Sequence, residues 1–331
     1  MVMSAPRPGL RDRFGRTVDY LRVSVTDRCD LRCTYCMPRG YNDFEDRDHC
    51  LDDDEIVRIV GVFAALGVRR VRLTGGEPLL RRGLVALAGR LARLPGIEDL
   101  SLSTNATRLT HLAERLRAAG VSRLNVSLDS LRGHRVESIT GRDVRDRVVD
   151  GLMAARRAGF SPIKVNMVVQ QGVNDDEIED IAAFCGEHDF ILRLIETMPI
   201  GDAGRRAAYT DLQPIRRRLQ QRLGLLDAAM PGGGPARYLK SPDGRFTIGF
   251  ITPRSQHFCE TCNRVRLSVD GTLYMCLGQE YGAPLRPLLR SRASDTELTT
   301  AVLNAIELKP QRHDFNQSPG KVVRVMARTG G

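Results

Sequence analysis

Residues 20–36 read YLRVSVTDRCDLRCTYC, in which an apolar, β-branched run is followed directly by three closely spaced cysteines. Residues 21–26 have the composition of a buried β-strand. Cys29, Cys33 and Cys36 then form a Cys-x3-Cys-x2-Cys pattern in the segment after this strand. The first predicted strand therefore leads straight into the first group of candidate metal ligands.

Similar apolar runs recur downstream and alternate with longer amphipathic segments. The predicted strands are residues 21–26, 70–74, 99–103, 123–128, 163–169 and 190–196, and the predicted helices lie near 53–66, 83–94, 109–119, 144–158 and 175–188. This alternation is typical of βα units with parallel strands. We expect an α/β fold, an incomplete (βα)6 barrel of the TIM type.

The last third of the chain has a different pattern. Residues 224–244 are rich in Gly and Pro and predict a linker, with a domain boundary near residue 230. Strand-like runs follow at 246–252, 264–269 and 272–277, the last two joined by Asp270-Gly271, a strong hairpin signal. We expect a partial barrel over residues 1–230 and a small C-terminal α+β domain over 231–331.

Composition restricts the class of protein. Of the 331 residues, 42% are hydrophobic and 27% are charged, which suits a globular fold. No segment resembles a secretory signal or a membrane span, so the sequence predicts a cytoplasmic protein without membrane association. The net charge of +10 allows nucleic acid, an acidic surface or a polyanionic small molecule as partner. The absence of a nucleic-acid recognition module argues against the first.

Cytosolic thiols are kept reduced, so the eight cysteines are interpreted as metal ligands or catalytic groups rather than disulfides. We call Cys29, Cys33 and Cys36 the first triad. Three thiolates on a four-iron cluster leave one iron open for a substrate or cofactor. A zinc knuckle or a chance group of buried thiols is the alternative, although zinc normally takes a fourth ligand.

A second triad, Cys259, Cys262 and Cys276, has the spacing Cys-x2-Cys-x13-Cys. It predicts a second cluster with an open iron and places it in the C-terminal domain. Zinc completed by a distant His is the alternative. Cys50 and Cys185 are interpreted as ordinary thiols.

Polar residues follow several predicted strands, where βα barrels carry their reacting groups. Gly75-Gly76-Glu77-Pro78 comes after the second strand, where glycines allow close backbone approach and Glu77 could accept a hydrogen bond from a ligand amine. Ser103 and Ser127 are candidates for ligand contact or for helix capping. Lys164, inside an apolar strand, either faces the barrel interior and needs an anion or a shifted pKa, or lies at a solvent-facing edge.

The first triad, with an aromatic residue before its third cysteine, and the Gly-Gly-Glu-Pro element resemble the radical S-adenosylmethionine enzymes. Nearly the whole chain resembles the GTP 3′,8-cyclase family within them. The stretches that match are residues 12–16, 20–26, 125–129, 259–266 and the terminal Gly330-Gly331.

The resemblance implies two [4Fe-4S] clusters, S-adenosylmethionine as cofactor and GTP as substrate. It implies a lyase that converts GTP to (8S)-3′,8-cyclo-7,8-dihydro-GTP, the first step of molybdenum-cofactor biosynthesis. It further implies an electron donor and a downstream enzyme that takes the cyclic product, and it allows a homodimer.

The resemblance also assigns residues, carried over position by position. Catalytic roles go to the first triad and to Gly330 and Gly331. Contacts to S-adenosylmethionine are assigned to Tyr35, Gly76, Glu77, Ser127 and Met198. Contacts to GTP are assigned to Arg22, Arg72, Ser103, Lys164, Arg264, Val265 and Arg266.

Two rival functions remain at this level: a peptide-modifying radical enzyme with two clusters, and a non-catalytic zinc or nucleic-acid-binding protein. The first usually has more cysteines in its C-terminal part than the three found here. The chain also departs from the cyclase pattern at Ala106, where the family usually has Gly. The resemblance therefore does not predict the backbone conformation of the turn at Ala106.

Overall fold

The computed structural model describes residues 9–230 and 233–330, and it contains one mixed sheet with helices outside it. The strands are β1 Tyr20–Ser24, β2 Arg70–Thr74, β3 Asp99–Thr104, β4 Arg123–Ser127, β5 Ile163–Val169, β6 Ile191–Glu196, β7 Leu226–Ala228, β8 Arg237–Lys240, β9 Thr247–Ile251, β10 Arg264–Leu267, β11 Thr272–Tyr274 and β12 Gly282–Pro284. All six barrel strands predicted from the sequence are present, in the predicted parallel arrangement.

The helices are α1 Asp53–Ala65, α2 Leu84–Ala92, α3 Ala113–Ala118, α4 Gly133–Thr140, α5 Arg145–Arg157, α6 Ile178–Glu187, α7 Gly201–Arg206, α8 Leu212–Arg222, α9 Arg286–Arg290, α10 Asp295–Glu307 and α11 Met326–Thr329. The five predicted helices are found, two of them shortened because their first turn is a 3₁₀ helix. Helices α4 and α7 to α11 were not predicted.

The strand order is β12-β11-β10-β1-β2-β3-β4-β5-β6-β9-β8-β7. The C-terminal strands contain antiparallel pairs as expected, including the predicted β10–β11 hairpin through Asp270-Gly271. The prediction of a linker over residues 224–244 is wrong in part, because β7 and β8 lie within it: β8 forms an antiparallel ladder with β9, and β7 pairs with β8, so this segment contributes two strands to the sheet. The sequence did not predict that β10 pairs in parallel with β1 and β9 in parallel with β6. The last third of the chain therefore extends the barrel sheet at both edges.

One apolar core lies between the sheet and its helices, and it contains buried residues from both parts of the chain, such as Leu21, Val165, Phe250 and Val265. The two edges that a six-strand barrel would leave open are thus covered by strands with the same core. Where the two predicted domains divide stays a prediction. No helix among the described residues is long and apolar enough to cross a membrane.

Candidate active site

The first triad lies on the loop after β1 and lines a cavity of about 1270 Å³, counted out to its open mouth. All three cysteines are free thiols. Burial raises the pKa of Cys29 and of Cys36 to about 12, and it raises that of Cys33 well above its ordinary value. Metal binding would have to draw protons from these thiols, as is usual for thiolate sites.

Tyr35 is fixed beside the first triad. Its hydroxyl donates to Asp129 Oδ2 at 2.7 Å, and Asp129 Oδ1 accepts from the backbone N–H of Val168 at 2.8 Å. Burial raises the pKa of Asp129 to about 6, although both hydrogen bonds lower it. The carboxylate thus ties the cysteine loop to the ends of β4 and β5.

Gly75 and Gly76 pack against the backbone of the cysteine loop and also line the first cavity. A Cβ on Gly75 would lie 2.1 Å from the carbonyl oxygen of Thr26, and one on Gly76 would lie 2.3 Å from that of Arg28. Gly76 N–H donates to Thr26 O at 2.7 Å. Only glycine lets β2 approach the loop this closely, and Gly76 also lines the cavity.

Glu77 is buried and does not line the cavity. Its carboxylate accepts from Thr104 Oγ1 at 2.7 Å, from Asn105 N at 2.6 Å and from Leu79 N at 2.9 Å. Burial raises its pKa to about 7 against these hydrogen bonds. The structure therefore shows Glu77 holding the end of β3, and a direct contact with a ligand amine stays a prediction.

The second triad lines a neighbouring cavity of about 910 Å³, again counted to its mouth. Burial would raise the pKa of Cys262, but the positive charges of Arg264 and Lys309 and hydrogen bonds from Arg264 lower it to about 6. Burial raises the pKa of Cys259 and of Cys276. Ser103, Asn166, Ile195 and Met198 line both cavities, so the two cavities adjoin.

Arginines dominate the wall of this second cavity. Five line it: Arg22, Arg72, Arg193, Arg264 and Arg266. Arg22 is in register with Arg72 on one side and with Arg266 on the other, so three like charges stand side by side on β10, β1 and β2. Neighbouring strands lie only about 4.8 Å apart, and like charges placed opposite each other are destabilising.

No acidic side chain in residues 9–230 or 233–330 forms a salt bridge with any of the five. Burial and the neighbouring arginines lower the pKa of Arg266 to about 9 and that of Arg193 to about 10, and they lower that of Arg22 well below its ordinary value. Because guanidinium groups stay protonated in proteins, these shifts indicate positive charge that lacks a counter-ion. The arrangement suits a polyanionic ligand.

Lys164 lies near this cluster but does not line the cavity. It is 7% exposed, which rules out the solvent-facing alternative, and its Nζ donates to the Tyr238 hydroxyl at 3.3 Å. Burial and the charges of Arg193, Arg123 and Arg72 lower its pKa to about 7. Of the two outcomes expected for an inward lysine, the surroundings of Lys164 favour the shifted pKa.

Val265 does not line the cavity either. It lies between Arg264 and Arg266 on β10, and its side chain packs in the main core because alternate residues of a strand face opposite sides. Only its backbone could meet a ligand, so its predicted contact with GTP stays a prediction. Ser103 and Ser127 line cavities, and neither caps a helix among the described residues.

The C-terminal tail reaches the barrel. Arg266 Nη1 donates to the carbonyl oxygen of Gly330, and a Cβ on Gly330 would lie 2.3 Å from Thr74, which lines the first cavity. Gly330 has a φ of 69°, which also favours glycine. Gly331 lies outside the described residues.

Ala106 adopts a φ of 60° and is fully buried, so the turn after β3 keeps the left-handed backbone although the residue is not glycine. Its N–H donates to Thr104 Oγ1 at 2.9 Å.

Sequence reasoning missed Arg193, which is 3% exposed and donates to Asn166 Oδ1 at 2.8 Å. The sequence did contain a signal for Arg193, because a charged residue inside the apolar predicted strand 190–196 is as unusual as Lys164 inside the predicted strand 163–169. Lys309 was also missed, and no local pattern marks it. Among the described residues, no three His, Cys, Asp or Glu side chains are grouped to hold a single metal ion.

Two family models match the chain. The one described as Radical SAM superfamily matches residues 23–185, and the one described as Molybdenum Cofactor Synthesis C matches residues 190–315. Together they cover both cysteine triads.

Similar curated proteins extend over nearly the whole chain. A GTP 3′,8-cyclase of Ectopseudomonas mendocina is 44% identical over 97% of this chain and 98% of its own length. GTP 3′,8-cyclase 2 of Pseudomonas aeruginosa is 45% identical over 97% and 98%, and a GTP 3′,8-cyclase of Marinobacter nauticus is 43% identical over 98% and 100%.

Solved structures share the fold at low identity. Streptococcus suis SuiB bound to S-adenosylmethionine superposes with a TM-score of 0.62 at 16% identity, over 88% of this chain and 69% of that one. SuiB bound to the precursor peptide SuiA gives a TM-score of 0.63 at 16% identity, over 93% and 77%. These likenesses confirm the partial-barrel fold.

Proposed function

Because the chain belongs to the radical S-adenosylmethionine superfamily and, within it, to the GTP 3′,8-cyclase family, we propose that its two adjoining cavities hold S-adenosylmethionine and GTP side by side. Family membership makes the chain a lyase that cyclises GTP in molybdenum-cofactor biosynthesis. The assignment of residues to this reaction is our proposal.

The observation that carries the proposal is the row of Arg266, Arg22 and Arg72 without acidic partners, beside the second triad. GTP carries about four negative charges at neutral pH, and guanidinium groups pair with phosphates in a bidentate manner. The buried Nε of Arg22 has no hydrogen-bond partner among the described residues, so it can donate to a phosphate oxygen at little cost.

The cysteines fit iron–sulfur clusters. Each triad places three sulfur donors on the wall of a cavity, and thiolate sets of this kind suit such clusters; His313 also lines the second cavity. We propose that Cys29, Cys33 and Cys36 hold one [4Fe-4S] cluster and that Cys259, Cys262 and Cys276 hold a second. When bound, the first cluster would supply the electron for reductive cleavage of S-adenosylmethionine, which would provide the radical chemistry needed at the ribose C3′ of GTP.

The protein's own residues then position and enclose the reactants. Tyr35, Gly76 and Ser127 form the wall beside the first triad and would contact S-adenosylmethionine. Met198 and Ser103 lie where the cavities adjoin and would separate or align the two ligands. Gly330 closes against Thr74 where no larger residue fits, which would exclude water from the reacting atoms.

The electron donor, the enzyme that takes the product, a homodimer and the cytoplasmic location stay predictions.

The decisive experiment is anaerobic turnover of the protein reconstituted with iron and sulfide. S-adenosylmethionine, a strong reductant and GTP are added, and mass spectrometry follows 5′-deoxyadenosine and isomerised GTP. We expect both products to form together. If deoxyadenosine formed while GTP stayed untouched, the substrate would be wrong, and a protein containing zinc without sulfide would refute the radical assignment.

Arginine variants test the residue assignment. Arg22→Ala and Arg72→Ala each remove charge-assisted hydrogen bonds of about 1.5–3 kcal/mol, so GTP affinity should fall roughly tenfold or more. Arg217→Ala, on an exposed face of α8, is the matched control and should bind GTP as the wild type does. If GTP affinity fell equally in all three variants, the loss would reflect the protein's overall positive charge rather than contacts at a specific site.

A further inference from the structure

A lysine with no role in the proposal above lies beside the second triad. Lys309 follows α10 and is 2% exposed. Its Nζ donates to the carbonyl oxygens of Arg264 at 2.9 Å and Met275 at 2.7 Å, and it lies 3.6 Å from Cys262 Sγ. One ammonium therefore connects β10, the residue before Cys276 and a sulfur of the triad.

Cys259, the remaining cysteine of the second triad, is held by Arg16 from the N-terminal part of the chain. Arg16 Nη1 donates to the carbonyl oxygens of Cys259 at 2.8 Å and Gln311 at 2.9 Å, and Nη2 donates to that of Pro310 at 2.7 Å. Arg16 is itself fixed, because its Nε donates to Asp12 at 2.6 Å. It thus links Cys259 to the segment that follows Lys309.

Charge distinguishes this arrangement from ordinary packing. Burying an ammonium is costly unless it is paired with an anion. Lys309 forms no salt bridge with an acidic side chain anywhere in the part of the chain that the structure describes. The groups near it that can carry negative charge are the sulfur of Cys262, which it contacts, and that of Cys276, as thiolates or as ligands of a cluster.

We propose that Lys309 is a positioning residue for the second cluster: its ammonium sets Cys262 and Cys276 relative to each other and balances the negative charge of the thiolate ligands, while Arg16 holds Cys259. This inference rests on the proposed second cluster. Because the positive charge lies against a cluster ligand, it favours the more negative, reduced state of that cluster.

The test isolates the second cluster in the full chain. All three cysteines of the first triad are changed to Ala, and Lys309→Met or Lys309→Gln is added to that background. Lys240→Met, at an exposed position on β8, is the matched control. After anaerobic reconstitution, iron and sulfide content are measured, and the midpoint potential is obtained by a redox titration followed by electron paramagnetic resonance.

We expect Lys309→Met to lose a large part of the bound iron and to shift the remaining cluster to a lower potential. Lys309→Gln keeps a donor for the carbonyls, so it should retain more iron yet show the same downward shift. It also keeps the test informative if the Met variant fails to fold. The Lys240→Met control should match its parent in both measurements.

The outcomes separate the two proposals. If the parent with an intact second triad binds no cluster, the proposed second cluster is wrong. If the parent is loaded and Lys309→Gln has the parent's iron content and potential, the second cluster stands and the role of Lys309 is refuted.

Discussion

At the scale of single residues, burial decides the chemistry of Lys164. Its pKa is lowered to about 7, so the folded protein releases this proton near neutral pH, whereas the unfolded chain keeps it up to the ordinary lysine pKa of ~10.4. The unfolded state then binds more protons between these values. The free energy of unfolding should therefore increase with pH from about 7 toward 10 through this group.

This leads to a prediction for ligand binding. A polyanion placed near Lys164 favours its charged form, so GTP binding near pH 8 should take up protons. Calorimetry in buffers of different ionisation enthalpy measures the uptake, which Lys164→Met should reduce. Identical proton uptake in the wild type and the variant would show that the charge of the ligand does not alter the pKa of Lys164.

Gly330 gives a second prediction at this scale. A methyl group there would lie 2.3 Å from Thr74 and would also occupy a positive φ, so Gly330→Ala should displace the tail and abolish most cyclisation. Quantified product and limited proteolysis of the tail measure the two effects. Gly320→Ala, where a Cβ meets nothing within 4 Å, should behave as wild type. If the Gly330→Ala protein kept its cyclisation activity, the proposed role of the tail in the active site would be wrong.

At the scale of elements, β10 performs two tasks because its side chains alternate. Arg264 and Arg266 face the second cavity, whereas Val265 belongs to the core. The same rule explains why the charges of β1, β2 and β10 lie in one row. One strand can thus bind a charged ligand and stabilise the fold.

The alternation predicts opposite effects for residues on opposite faces of these adjacent strands. Val265→Ala should lower the free energy of unfolding by about 2 kcal/mol and leave GTP affinity unchanged. Arg22→Ala should weaken GTP binding without destabilising the empty protein, since it removes a charge that has no partner. Denaturant unfolding and GTP titration of both variants test this, and weaker GTP binding by Val265→Ala would contradict the assignment of faces.

At the scale of the whole molecule, the last third of the chain extends the sheet at both edges. Strand β10 covers the edge of β1, and β9 covers the edge of β6. It also provides the second triad and the tail that meets Thr74. The covering of the barrel's two edges and the assembly of the site therefore depend on the same segment.

A chain truncated after residue 230 should for this reason fail to form a stable monomer, although the sequence predicts a domain boundary there. Truncation leaves β1 and β6 as exposed edges of a buried parallel sheet, which favours aggregation. Sedimentation and circular dichroism measure the outcome against the full-length protein. A folded, monodisperse fragment would mean that the barrel is independent of its C-terminal strands.

The sequence by itself determined the six parallel strands, the five helices between them, the hairpin at Asp270-Gly271 and both cysteine triads, because periodicity, turn residues and ligand spacing are local properties of the chain. It also marked Lys164 as an unusual charge inside an apolar strand, and the structure showed that this side chain is buried. Only the tertiary structure decided which strands became neighbours, and therefore that Arg22, Arg72 and Arg266 form one row. It alone brought Lys309 and Arg16 to the second triad, since contacts between residues far apart in sequence depend on how the whole sheet assembles.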